Sequence, residues 1–205
     1  MNARDESTVA ENPFCSRRVR PGAMPFLFVA GDGAARLIDR LDRSGWWGQI
    51  VGPHGSGKSA LLATLVPEVE RAGRPTLVFE LHDGCRRLPF EPRHAADLDR
   101  STVIVIDGYE QLSRLSRFRI KRFCRRRRLG LVVTAHTGVG LPELVCTGAS
   151  LPLAQHIVGR LTDGYPSHIS AEDVAERFSR HGPDLRELLF DLYDLYEQRR
   201  RGGSA

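Results

Sequence analysis

The chain is 205 residues long, 41% hydrophobic and 27% charged, with a formal net charge of +5. That is enough chain for one α/β domain and a small appendage, and the composition excludes a disordered or collagen-like protein. No apolar run approaches the roughly 20 residues a membrane-crossing helix needs, and Met1–Glu11 is polar and acidic with no secretory core, so the expected compartment is the cytosol.

Residues 1–24 read as an N-terminal arm, disordered to about residue 12 and irregular over Asn12–Gly22, where Pro and Arg are frequent. Ala34–Arg43 reads as a helix with Leu37, Ile38 and Leu41 on one face, ended by Gly45. Trp46–Val51 reads as the first core strand.

The next eight residues are Gly52-Pro53-His54-Gly55-Ser56-Gly57-Lys58-Ser59, a match to the Walker A pattern G-x-x-x-x-G-K-[ST] at every fixed position. An apolar run before it and Ala60–Leu65 after it supply the strand–loop–helix context that the motif needs. Glycines let successive backbone N–H groups turn inward around phosphate oxygens, and the following helix presents its positive end to the same anion. The expected cradle is Gly52, Pro53, His54, Gly55, Ser56, Gly57, Lys58, Ser59 and Ala60. Lys58 is expected to reach the β- and γ-phosphates and Ser59 to offer its hydroxyl to Mg²⁺. Lys58 is one of only two lysines, the other being Lys121, against 28 arginines. A chain that writes nearly every cation as Arg keeps a compact ammonium where a forked guanidinium would be too large.

The loop helix is expected over Ser59–Arg71 and a strand over Thr76–Leu81. His82–Arg100 is a long connection with a short helix around Ala95–Asp99. Thr102–Asp107 is a β-branched run closing on an aspartate, which fits Walker B: a buried parallel strand with a metal-holding acid at its carboxyl end. Asp107 is expected to hold Mg²⁺; a turn-capping Asp is the plainer reading. Glu110, the nearest acid after Gly108, is a candidate to polarise the attacking water from the first turn of the next helix, or simply an acid favoured by that helix's dipole.

Gln111–Arg125 reads as an imperfectly amphipathic helix. Nine cations and no acid lie between Arg114 and Arg128, which leaves the rest of the chain near −4. The basic segment reads as a surface for an anionic partner, protein or nucleic acid, or as a solvated helix face. Gly130–Thr137 is another buried strand, ending in Thr134, His136 and Thr137. No guanine-reading N-K-x-D occurs, which favours ATP as the nucleotide. Ala149–Leu153 reads as a final short strand, and Gln155–Thr162 as a short helix. Ser170 opens another helix. Asp184 and Glu187 form a capping-box-like pair before a last helix with Leu185, Leu188, Leu189, Leu192 and Tyr196 on one side. The tail from Arg199 reads as unstructured. Cys15, Cys85, Cys124 and Cys146 have no C-x-x-C spacing, so reduced thiols are expected rather than a zinc site.

Together these residues resemble the AAA+ and wider RecA-like, additional-strand P-loop ATPases. The motifs cover Gly52 to about Thr137. Gly182-Pro183-Asp184-Leu185-Arg186-Glu187-Leu188 also looks like the sensor 2 stretch of initiator-type AAA+ proteins. The resemblance implies a three-layer α/β fold with a central, mostly parallel sheet over 25–153. It also implies a helical lid over 154–199 and a flexible tail over 200–205. It casts Lys58, Asp107, Glu110 and Arg186 as catalytic, with Arg186 reaching the γ-phosphate from the lid, and Thr134, His136 or Thr137 as sensor 1. It also puts Phe14 or Val19 of the arm over the adenine, unless the arm merely packs on the surface. Two departures stand out. Gly108 occupies the place where many of these ATPases carry a glutamate. No Arg or Lys lies between His136 and Arg160, which speaks against ring assembly by the usual arginine finger. No L-S-G-G-Q stretch suggests an ABC-transporter ATPase. The expected function is Mg-dependent ATP binding and hydrolysis, or an ATP-driven switch. The rivals are a small P-loop kinase phosphorylating a metabolite and a nucleic-acid-binding adaptor in which ATP is structural.

Overall fold

Alternation within the buried strands sets the layers. In Val103–Asp107 (β3), Val103 and Val105 point to one face and Ile104 and Ile106 to the other, and all four are buried. In Gly130–Ala135 (β4), Val132 faces the first side and Leu131 and Val133 the second. A strand apolar on both faces needs cover on both, which is why these runs are continuously hydrophobic. In a computed structural model of the chain, which describes residues 12–20, 22–23, 26–28, 33–82, 84–90, 98–166 and 168–202, helices provide that cover. Trp47–Val51 (β1), Thr76–Glu80 (β2), β3, β4 and Glu143–Cys146 (β5) form one sheet in the order β2-β3-β4-β1-β5. Every pairing in it is parallel. Strand β4 therefore lies between the strand that leads into the Walker A loop and the strand that ends in Asp107.

On one face, Ala34–Arg43 (α2, after the short turn of helix α1 at Ser16–Val19) and Lys58–Arg71 (α3) bury Leu37, Leu41, Leu61, Leu65 and Val69 against Ile50 and Val132. On the other, Arg114–Arg127 (α4) buries Ile120 and Cys124 against Ile104, Ile106 and Leu131. Each such aliphatic side chain contributes about 1.5–3 kcal/mol through burial. The sheet thus becomes a rigid base whose carboxyl edge carries the loops that follow β1, β3, β4 and β5.

A third cluster lies among Leu151–Thr162 (α5), Ala171–His181 (α6) and Leu185–Gly202 (α7). Ser170 and Asp173 make a complete capping box at the start of α6. At α7 only half of the expected box forms. Asp184 Oδ1 accepts from the N–H groups of Arg186 and Glu187, while the Asp184 N–H donates to the His181 carbonyl.

Several sequence expectations are corrected here. Ala149–Leu153 is not a strand: Ser150 caps α5 by accepting from Leu153 N, and Pro152 occupies the first turn, where its missing N–H costs nothing. The fifth strand is Glu143–Cys146 instead. Helix α5 begins at Leu151 rather than Gln155. The segment after Asp107 opens with a 3₁₀ turn, Tyr109–Gln111, and α4 starts only at Arg114, because Ser113 caps it by accepting from Ser116 N. Glu110 is therefore on the 3₁₀ turn and not in the helix. The tail is not loose at Arg199, since α7 runs to Gly202. Phe14 does not present its ring at the surface, where it could cover an adenine. It is buried in the α5–α7 cluster, edge-on to Tyr196, and Asn12 donates to the Tyr193 carbonyl and to Glu197. The disorder expected for residues 1–11, the helix around Ala95–Asp99 as far as residue 97, and residues 203–205 of the tail lie outside the described residues. The four cysteines are free thiols.

Arg199 explains why its end of α7 is ordered. Its guanidinium donates to both carboxylate oxygens of Asp173, at 2.5 and 2.8 Å, and to the His168 carbonyl. The Arg199 hydrogen bond, with help from Ser170, holds the Asp173 carboxyl down at about 2, against an ordinary value of 3.8. A depressed carboxyl adds stability that is present above the ordinary value and is lost as pH falls through the folded one. Because the Arg199 side chain is 43% exposed, screening trims the effect to about 1 kcal/mol. Arg199→Ala should therefore lower the melting temperature by about 2–4 °C at pH 7. The gap between variant and parent should close as pH drops from 4 to 2. A gap that stays constant over that range would remove the ion pair as its cause.

Candidate functional site

The site is built where the parallel strands end. After β1 the chain turns through Gly55 (φ 64°) and Gly57 (φ 89°), both left-handed, a conformation open to glycine at little cost. Lys58 begins α3 and is buried. Its ammonium donates to the carbonyls of Gly52 at 2.8 Å and Pro53 at 2.7 Å. Burial pushes its pKa down, and the carboxylates of Glu110, Asp107 and Asp184 pull it back up. The field of three acids from three different elements thus favours the charged ammonium. The Ser56 hydroxyl donates to Pro53 O and pairs with Thr147 Oγ1 at 2.7 Å. Thr147, just past β5, also donates its N–H to Val51 O. The end of the edge strand therefore braces the loop, a role that no motif announced.

Asp107 is held from the neighbouring strand. The Thr134 hydroxyl donates to Asp107 Oδ1 and accepts from Gly108 N at 2.9 Å. Thr134 is fully buried, and its position beside Asp107 comes from the β3–β4 register. Of the three residues proposed at the end of β4, Thr134 thus meets Asp107 and His136 meets Glu110, while Thr137 is exposed.

Gly108 turns left-handed (φ 79°), and a β-carbon there would lie 2.7 Å from the Leu81 carbonyl oxygen. The backbone leaves no room for a side chain directly after Asp107. The next acid is displaced to Glu110, whose Oε1 lies 3.2 Å from His136 Nε2. Its Oε2 is buried with no hydrogen-bond partner. The His136 ring also stacks at 3.7 Å, tilted by 53°, on His54 of the loop. Burial chiefly depresses the His136 pKa, Glu110 raises it, and Lys58 and His54 lower it. Sequence alone did not connect His54 with His136, because they stand 82 positions apart and meet only through the β1–β4 pairing.

The start of α7 closes the other side. Leu185 N donates to Gly55 O at 3.3 Å, and a β-carbon on Gly55 would sit 1.8 Å from Asp184 Oδ1. Within the Gly182–Leu188 stretch, it is Asp184 that touches the loop. Arg186 is exposed, with its guanidinium 5.7 Å over the Phe190 ring.

This donor set suits a magnesium-bound triphosphate. The loop combines two left-handed glycines with a buried ammonium, and Ser59 and Asp107 supply hard oxygen donors for Mg²⁺. The orphaned Glu110 oxygen is a polar group that requires a partner. Among the described residues, no group of three or more His, Cys, Asp or Glu side chains forms a separate metal site, and no helix is long and apolar enough to cross a membrane.

No protein-family model and no curated protein matches the chain. Among solved structures, it is similar to a point mutant of RuvB from Thermotoga maritima, with 17% identity and a TM-score of 0.52 over 79% of this chain and 61% of that one. It is also similar to the replication initiator DnaA bound to AMPPCP and single-stranded DNA, with 14% identity and a TM-score of 0.55 over 83% and 63% of the two chains. A DNA replication initiation factor gives 14% and 0.55 over 85% and 66%. The chain thus spans less than two thirds of each of these proteins. What the chain shares with these structures is the fold, three α/β layers around an all-parallel central sheet.

Proposed function

We propose that this is a cytosolic, Mg²⁺-dependent ATP-binding protein that hydrolyses ATP slowly or uses it as a switch toward a partner. The observation that carries the reading is the loop of left-handed Gly55 and Gly57 that buries the Lys58 ammonium, set at the same carboxyl edge of the sheet as Asp107 and as Glu110 with its unpartnered oxygen. Lys58 and the loop amides grip the phosphates. Ser59 and Asp107 hold Mg²⁺, which when bound draws charge from the phosphate oxygens. Glu110 accepts a proton from the attacking water through its free oxygen, and His136 fixes the carboxylate through the other. Arg186 reports the γ-phosphate once α7 has shifted, since its charge now rests on Phe190. The interposed strand β4, the feature for which additional-strand ATPases are named, supports an ATPase over a metabolite kinase. The fold shared with DnaA, solved with AMPPCP and single-stranded DNA, supports an adenine nucleotide and a nucleic-acid partner.

Phosphate release by the purified protein, with and without a DNA oligonucleotide, tests this. Glu110→Gln should lower turnover by about 10²-fold or more while leaving ATP affinity within a few-fold. Equal turnover in the variant would remove Glu110 from the chemistry. ADP formation that requires a small-molecule acceptor would identify a kinase instead.

A further inference from the structure

Helix α4 buries Ile120 and Cys124, half-buries Ser116, Arg117, Lys121 and Phe123, and turns its remaining residues to solvent. Four of the nine cations of Arg114–Arg128 are engaged within the chain, two of them over aromatic rings, Arg125 over Trp47 at 5.3 Å and Arg127 over Phe123 at 5.9 Å. Arg117 donates to the Leu112 and Glu110 carbonyls, and Lys121 to the Val139 carbonyl. Arg114, Arg119, Arg122, Arg126 and Arg128 have no ion pair with any carboxylate among the described residues. Beside them stand two large apolar side chains with no cover, Leu115 at 56% and Phe118 at 62% exposure.

The surface is concave as well as basic. One hollow of about 230 Å³ is lined by Phe118, Lys121, Arg122, Arg125 and Arg126. A second, of about 550 Å³, is lined by Leu98, Asp99, Arg100 and Arg126–Arg128. Arg126 borders both, so they adjoin. The one carboxylate there, Asp99, is engaged by Ser101 and Thr102. A 14-residue helix is about 20 Å long, so the cations follow a track rather than a point.

We propose that this groove binds single-stranded nucleic acid, with the arginines on successive phosphates and Phe118 stacked against an unpaired base. Guanidinium forks suit phosphate oxygens, and an exposed ring beside a phosphate track is the combination that holds unpaired strands with little regard to sequence. A duplex keeps its bases stacked inside and would leave Phe118 idle. A membrane surface is flat, whereas Arg126, Arg127 and Arg128 line a hollow shared between the end of the helix and Leu98–Arg100. The proposal names a partner for the ATP-driven reading above but needs no nucleotide, so the two can fail separately.

Fluorescence anisotropy with a labelled dT20 oligonucleotide tests it. The comparison probes are rU20, a 20-base-pair duplex, phosphatidylserine vesicles and polyglutamate at the same ionic strength. Wild-type protein should prefer dT20 or rU20, with affinity falling steeply in salt. Phe118→Ala should weaken single-strand binding about fivefold or more without changing the salt slope. Because the ring is mostly exposed, the fold should be kept, as circular dichroism would check. Replacing Arg122, Arg125 and Arg126 together by alanine should flatten the slope by about 2, at roughly 0.7 per phosphate. Lys58→Ala, which disables only the nucleotide pocket, should bind dT20 like the parent. If the folded Phe118→Ala protein binds dT20 unchanged, or polyglutamate or vesicles bind as well as dT20, the proposal is overturned.

Discussion

Mg-ATP is expected to raise the melting temperature of the parent protein, and Lys58→Ala is expected to abolish that gain. A ligand at a hundred times its dissociation constant stabilises a fold by about 2.7 kcal/mol, or about 5–10 °C for a protein of this size. Without nucleotide the variant should melt close to the parent. Alanine removes two hydrogen bonds to Gly52 and Pro53, but it also removes a buried charge, and the two effects offset. Lys58→Arg should fail as well, since the guanidinium is too broad for a loop whose carbonyls already lie 2.7 and 2.8 Å from the ammonium. Scanning fluorimetry with ATP, GTP and no nucleotide checks all of this. A variant that still gains several degrees from Mg-ATP would place the phosphates somewhere other than this loop.

Installing the glutamate that many additional-strand ATPases carry at the position of Gly108 should destabilise this protein rather than speed its turnover. Gly108→Glu forces a left-handed backbone on a residue with a β-carbon, at roughly 1–2 kcal/mol. It also drives that carbon to 2.7 Å from the Leu81 carbonyl oxygen. Leu81 cannot easily retreat, because its N–H is bonded to the Asp107 carbonyl in the β2–β3 register. Relieving the contact adds about 1–3 kcal/mol, as overpacking usually does. The expected fall in melting temperature is about 5–15 °C, with Gly108→Ala nearly as severe and no gain in phosphate release from either. A Gly108→Glu protein that melts like the parent and turns over faster would mean that the loop after Asp107 is far softer than its contacts imply.

Sequence reading succeeded where burial on two faces or helical spacing left one solution. β1, β3, β4, α2 and α3 were all found close to their observed bounds, because continuous β-branched runs and a strand–glycine loop–helix pattern admit few alternatives. The errors fall where tertiary partners decide. β5 has a neighbour on one side only, so its four residues carry an exposed acid and little pattern. Ala149–Leu153 is apolar enough for a strand, but the Ser150 cap and Pro152 commit it to a helix. The Arg-rich end of α7 resembles a solvated tail until Asp173, 26 positions earlier, is seen to hold Arg199. In the site, the cradle and Asp107 are local motifs. Thr147, His54 with His136, and Asp184 enter through strand order and helix docking, which no local window records.

Phe14 and Asn12 have a consequence for how the molecule assembles. The benzyl group that completes the core of the three C-terminal helices comes from the opposite end of the chain, and Asn12 is bonded to Tyr193 across 181 positions. Closing so long a loop costs conformational entropy that only a preformed sheet can reduce, by bringing both ends near each other. Helices α5–α7 on their own would therefore carry an unfilled notch the size of a phenyl ring. Their final tightening should trail completion of the sheet, so that the late-synthesised segment waits on the early one.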